Sequence, residues 1–239
     1  MFDTLKADIA IKRQEKLEKK APAGPHDEPF ALRGFSLWLL PPLEAGKTLS
    51  DTIYKLASKA GSPAFMPHIT LFTPRNPANM NANKLEKALH RGINASMLAR
   101  DMDSEAPLLR SGDRGLRNKN DDAHDRPFEA AEPGLDVRLL RPTTGAHYYQ
   151  CVFAPLDPTA TPGLAALRGA VANYLGEPAE PYFPHLSLCY GDFDDAKKRE
   201  VLANVGGDWP MDFTCTEAVV VDTNGTADKW RIVTAIRLT

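Results

Sequence analysis

FMPHITLF (65–72) and YFPHLSLCY (182–190) are two versions of one pattern, Pro-His-apolar-(Thr/Ser)-Leu, and how they are read decides the fold. Both stretches are apolar and aromatic enough to be strands. In a strand, residues i and i+2 share a face, about 6.5–7 Å apart. His68 and Thr70 therefore project together, and Ile69 and Leu71 turn to the opposite side. His185 and Ser187 do the same, backed by Leu186 and Leu188. Each polar pair is mounted on a strand whose other face can pack, which makes a rigid platform. A lone strand histidine is usually a bystander. A second copy, again with proline before the histidine and an aromatic just upstream (Phe65; Tyr182 and Phe183), makes chance a poor explanation.

Working outward, FSLWLL (35–40) reads as a buried first strand closed by Pro41 and Pro42. LSDTIYKLASKA (49–60) reads as a helix capped by Ser50 or Asp51 and ended by Gly61. The first motif strand extends over 64–72, and a second helix over 81–97. LDVRLL (135–140) and HYYQCVFAPL (147–156) are strands. GLAALRGAVANYLG (163–176) is an amphipathic helix ending on glycine. The second motif strand (181–193), a charged helix (194–204) and two strands (213–223, 230–238) complete the chain. A strand–helix–strand–helix unit thus occurs twice, each time with a Pro-His strand in the same place. The pattern predicts two related lobes rather than a doubly wound sheet. No glycine-rich phosphate loop follows a strand, which leaves Rossmann and P-loop folds without support.

Two segments lie outside this unit. Residues 1–33 read as a charged, helix-prone arm, in which Lys12, Arg13, Lys16, Lys19 and Lys20 alternate with Glu15 and Glu18 before Pro22, Gly24 and Pro25 break the pattern. Residues 98–134 are polar and rich in breakers, and read as a partly disordered insertion within a 34–239 domain. His124 falls there and is not expected to do chemistry.

The 239 residues are 43% hydrophobic and 25% charged, the balance of a globular protein with a proper core. A net charge of −2 gives no long-range attraction to nucleic acid, and no apolar run is long enough to span a bilayer. The N-terminus lacks the apolar region of a secretory signal. Cys151, Cys189 and Cys215 are odd in number and form no CxxC pair, which argues against a disulfide framework or zinc knuckle and for a reducing, cytoplasmic setting. No cofactor, metal, membrane or long nucleic acid is expected as a partner, and the chain is expected to be a monomer.

If the two motif strands lie side by side across a pseudo-twofold, two imidazoles and two hydroxyls surround one pocket. Hydroxyls donate to phosphate oxygens, and imidazoles move protons near neutral pH. In-line displacement at phosphorus needs a base on one side and an acid on the other. A metal site is the poorer reading. Neither histidine has a carboxylate or cysteine at ligand spacing, and hydroxyls are weak zinc ligands.

At these residues the chain resembles the 2H phosphoesterase superfamily, and within it the plant and fungal cyclic phosphodiesterases. FSLWLLPPLE (35–44), FMPHITLF, YYQCVFAPL (148–156) and PYFPHLSLCYGDF (181–193) carry the resemblance, over roughly 34–97 and 135–239. It implies an α+β, bilobal fold, with two pseudo-symmetric antiparallel sheets, outer helices and a central cleft. It also implies hydrolysis of ADP-ribose 1″,2″-cyclic phosphate, a by-product of tRNA splicing, and of nucleoside 2′,3′-cyclic phosphates. It makes His185 the base that activates water and His68 the acid that protonates the leaving oxygen. Thr70 and Ser187 would hold the phosphate, supported by Tyr190. Trp38 and Tyr149 match aromatics near the base or ribose, and Trp38 reads nearly as well as a core residue under the sheet. Fungal relatives at the Golgi add a second compartment by resemblance alone. The alternatives are a 2′–5′ RNA ligase-like or RNA 3′-end-processing 2H enzyme, and a non-catalytic nucleotide-binding protein.

Overall fold

The structure is a computed structural model that describes residues 32–104, 134–178 and 181–238. Most of the arm and of the expected insertion, with His124, lies outside the described residues.

Strand β1 (Phe35–Leu40) is buried over five of its six positions and runs into Pro41–Pro42. Helix α1 (Leu43–Ala60) starts there, six residues before the expected start at Leu49. Pro42 takes the N-cap position, and Thr48, Ser50 and Thr52 donate their hydroxyls to the carbonyls of Glu44, Gly46 and Thr48. Hydroxyls satisfied four residues back let the helix run through a stretch that reads as a cap region. Gly61 ends the helix in the left-handed conformation (φ 66°), as its sequence position predicts.

Strand β2 (Ile69–Phe72) is followed by α2 (Ala82–Ser104), which continues past residue 97 into the expected insertion. Next come β3 (Leu135–Leu139), the short β4 (Thr143–Thr144), β5 (Val152–Pro155), α3 (Pro162–Leu175), β6 (His185–Cys189) and α4 (Asp195–Ala203). Asp194 caps α4 by accepting from the Lys197 N–H. The chain ends in β7 (Met211–Cys215), β8 (Glu217–Asp222) and β9 (Arg231–Arg237).

Several strand expectations change. The motif strands are shorter than expected, Ile69–Phe72 in place of 64–72 and His185–Cys189 in place of 181–193, so His68 stands one residue ahead of β2. The strand expected over 147–156 begins only at Val152, because Tyr148–Gln150 form a 3₁₀ turn. Gly145 permits that turn, since a Cβ there would lie 2.5 Å from the Gln150 carbonyl oxygen. The strand expected over 213–223 breaks at Thr216, and its halves join different sheets. β7 pairs with β3, while β8 enters the main sheet between β1 and β9. No breaker residue marks the division; strand pairing imposes it.

The fold class matches the expectation: α+β, with every strand pairing antiparallel among the described residues. The main sheet has the order β4-β5-β6-β2-β1-β8-β9. Its two halves, β4-β5-β6 and β2-β1-β8-β9, meet along β2 and β6 at a single register pair, Ile69↔Leu186. Helices bind the halves together. Helix α1 follows β1 but packs on β6, and α3 follows β5 but packs on β2. The inward-facing Ile69, Leu71, Leu186 and Leu188 are fully buried in one continuous core, so the motif strands are anchored from behind.

Candidate functional site

Continuing the Ile69↔Leu186 register outward places His68 opposite Ser187 and Thr70 opposite His185. Facing side chains on antiparallel strands have Cβ atoms about 4.5–5.5 Å apart, and diagonal ones about 7–8 Å. The histidines therefore occupy one diagonal of a square and the hydroxyl residues the other. A pseudo-twofold through the central pair exchanges the two motifs. In-line displacement at phosphorus calls for a base and an acid on opposite sides, two roles that a pair of diagonal imidazoles can divide.

The two rings are held alike. His68 Nδ1 lies 2.7 Å from the Met66 carbonyl oxygen, and His185 Nδ1 lies 2.9 Å from that of Phe183. Each carbonyl belongs to the residue before a proline, which biases that residue to extended backbone. A carbonyl can only accept, so Nδ1 carries the hydrogen in both rings and Nε2 is the atom left for proton exchange. This is the physical use of the Pro-His pair: the residue two before the histidine fixes the tautomer.

Electrostatically the two differ. His68 is 7% exposed, and burial pushes its pKa down to about 4, with repulsion from His185 adding to the effect and the Met66 carbonyl opposing it. His185 is less buried, and desolvation lowers its pKa too. Burial thus keeps both imidazoles predominantly neutral at pH 7.

Trp38 lies flat against His68, with ring centroids 3.6 Å apart and planes at 10°, and is only 3% exposed. In this position its ring buttresses the imidazole, and its face is not open to a nucleobase. Phe65 and Trp230 meet His68 edge-on at 6.3 and 6.4 Å. The aromatic box excludes water from the neutral ring, and its π-faces attract the ring once protonated. Trp230 carried no sequence signal, because it enters only through the neighbouring strands β8 and β9.

The hydroxyls also differ. Ser187 Oγ donates to the Tyr149 carbonyl oxygen at 2.6 Å and meets the Tyr190 hydroxyl. To donate to a phosphate, it must turn away from that carbonyl. The Thr70 side chain is half-buried on the same face as His68, and its carbonyl accepts from the Tyr182 hydroxyl at 2.7 Å. Tyr190 is buried and stacked on Phe65 at 3.6 Å, so it braces the site from below. Tyr149 is half-buried, edge-on to Tyr190 at 5.0 Å and tilted towards Trp230 at 6.1 Å. Burial pushes its pKa up to about 12 and keeps the phenol protonated. Among the described residues, no three His, Cys, Asp or Glu side chains gather as metal ligands, and no helix is long and apolar enough to cross a membrane.

Two antiparallel half-sheets thus meet with one Pro-His motif strand from each at their junction. Residues 33–238 match the family described as cyclic phosphodiesterase-like protein, and the chain belongs to that family. A curated relative, the cyclic phosphodiesterase of Arabidopsis thaliana, is 24% identical over 169 residues, 69% of this chain and 69% of that protein. Similar solved structures include a phosphoesterase (TM-score 0.44, 15% identity, 86% of this chain and 95% of that one). Another is LigT of E. coli complexed with ATP (TM-score 0.41, 14% identity, 87% and 98%). Membership makes the chain a phosphodiesterase-type hydrolase.

Proposed function

We propose that this protein hydrolyses ADP-ribose 1″,2″-cyclic phosphate and nucleoside 2′,3′-cyclic phosphates with His68 and His185 as a metal-free acid–base pair. The observation that carries the reading is the diagonal placement of two imidazoles, each with Nδ1 tied to a backbone carbonyl and Nε2 left to exchange protons. His185, the more open ring, takes a proton from the attacking water through Nε2. His68 delivers one to the leaving ribose oxygen. Thr70 and a rotated Ser187 donate hydroxyl hydrogens to the non-bridging oxygens, where negative charge grows. Tyr190 and Trp38 hold the reacting groups in place.

Burial keeps His68 neutral in the free protein, so the acid has to gain its proton together with the substrate. A phosphodiester anion beside the ring and the Trp38 face beneath it both favour the imidazolium. The same low pKa favours the opposite assignment, with His68 as base and His185 as acid. A linear phosphodiester with a nitrophenolate leaving group separates the two. That group leaves without a proton, so substituting the acid is tolerated and substituting the base is not.

The main test is turnover of the two cyclic phosphates and of a short 2′–5′-linked RNA, before and after exhaustive chelation. Hydrolysis of the cyclic phosphates that survives chelation is expected. Activity that is lost on chelation and restored by one added metal refutes the two-histidine mechanism. Turnover of the RNA alone assigns the site to the ligase-like branch.

A further inference from the structure

The aromatic expected beside a bound base, Trp38, is buried behind His68. Another ring stands at the mouth of the site. Phe183 is 55% exposed, and of the exposed large apolar side chains among the described residues it is the one beside a motif histidine. Single exposed apolar residues are ordinary on protein surfaces, so exposure alone assigns nothing. Its attachment is what matters. The Phe183 carbonyl is the group that holds His185 Nδ1, so its backbone position is tied to that of the imidazole. Its ring centroid is 5.9 Å from that of His185 with planes at 24°, an offset, near-parallel placement. Phe153 sits edge-on to both rings, 5.6 Å from Phe183 and 5.4 Å from His185, and wedges the pair from the β5 side. Phe153 is itself buried, so the wedge is fixed. Phe183 precedes β6 by two residues, and its ring contacts with His185 and Phe153 fix it beside the imidazole. The result is a firmly seated aromatic face open to solvent, next to one of the two imidazoles.

We propose that Phe183 is the platform on which the nucleobase of a cyclic nucleotide stacks, and that it sets a preference for base-bearing over base-free cyclic phosphates. The proposal rests on the cyclic phosphodiesterase reading above. With the phosphate between the two imidazoles, a nucleobase lies one ribose ring away, and Phe183, two residues before β6 with its ring centroid 5.9 Å from that of His185, stands beside that path. Every base has a π-face, so such a platform selects for the presence of a base more than for its identity.

The test compares adenosine 2′,3′-cyclic phosphate with glycerol 1,2-cyclic phosphate, which keeps the five-membered cyclic diester and lacks a base. Stacking on an aromatic side chain is lost on alanine substitution with an effect of about 5- to 150-fold. Phe183→Ala is therefore expected to lower the adenosine-over-glycerol ratio of kcat/KM by that factor, mainly through KM for the adenosine compound. Phe183→Trp should keep the ratio, and circular dichroism of each variant verifies the fold. An unchanged ratio in Phe183→Ala, or a Phe183→Trp variant that loses as much as the alanine, overturns the proposal. If the wild-type protein hydrolyses neither compound, the phosphodiesterase reading falls by itself. Calorimetric titration of adenosine 3′-monophosphate then decides the platform: weaker binding to Phe183→Ala supports it, and equal binding overturns it.

Discussion

His68 should make the protein sensitive to mild acid, and the size of the effect follows from its burial. In the unfolded chain the imidazole titrates near its ordinary value of about 6.5, whereas in the folded protein burial against Trp38, Phe65 and Trp230 holds it to about 4. Between those values the unfolded state binds more protons than the native one. Stability therefore rises with pH across this window and is lost as pH falls from about 6.5 towards about 4. A shift of about 2.5 units corresponds to about 3.4 kcal/mol once both states are protonated, of which about 2 kcal/mol is already lost at about pH 5. The perturbation is His68→Asn, which keeps a side-chain donor for the Met66 carbonyl and removes the titration. Urea unfolding of both proteins at about pH 8 and about pH 5 gives four free energies. The wild type should lose about 2 kcal/mol more than the variant across that range. The remaining histidines, His185 among them, and the carboxylates are common to both proteins and cancel in the difference. Equal losses in the two proteins would refute the claim that the folded state keeps His68 neutral.

Three further outcomes are expected. His68→Ala and His185→Ala should each lower kcat on a cyclic phosphate by about 10²–10⁴-fold, and the double variant should fall far less than the product, because both groups serve one transition state; steady-state kinetics of the three proteins checks this. Trp38→Ala removes a buried ring that contacts both His68 and Trp230 and should cost about 3–5 kcal/mol in urea unfolding at unchanged slope. Gly34→Ala places a Cβ 2.6 Å from that of Pro77 on backbone at φ 93°, so it should cost at least about 1–3 kcal/mol, read as a lowered thermal midpoint.

The strand–helix–strand–helix order, the αL ending at Gly61 and the two His-x-Thr/Ser faces were all legible in the sequence. Each rests on local chemistry: the period-2 alternation of strands, the left-handed tolerance of glycine, and proline's restriction of the residue before it. Elements defined by pairing were not legible. FTCTEAVVVDT has uniform strand propensity, yet it divides at Thr216 because β3 claims one half and β1 with β9 the other. HYYQCVFAPL loses its first half to a turn because the Tyr149 carbonyl accepts from Ser187, a contact 38 residues away along the chain. The ends of α1 and α2 were misplaced because hydroxyls four residues apart, and a polar stretch beyond residue 97, do not look helical in isolation.

The sequence by itself determined the candidate residues of the proposed site: His68 and Thr70, like His185 and Ser187, alternate onto one face wherever the backbone is extended, since side-chain alternation is a property of extended backbone alone. Only the tertiary structure decided how they stand to one another. One antiparallel pair, Ile69↔Leu186, puts the histidines on a diagonal, buries His68 more deeply than His185, turns Trp38 into a buttress and leaves Phe183 at the mouth. Register, burial and the pKa values that follow from it depend on neighbours distant in the chain, and local propensity carries no record of those neighbours.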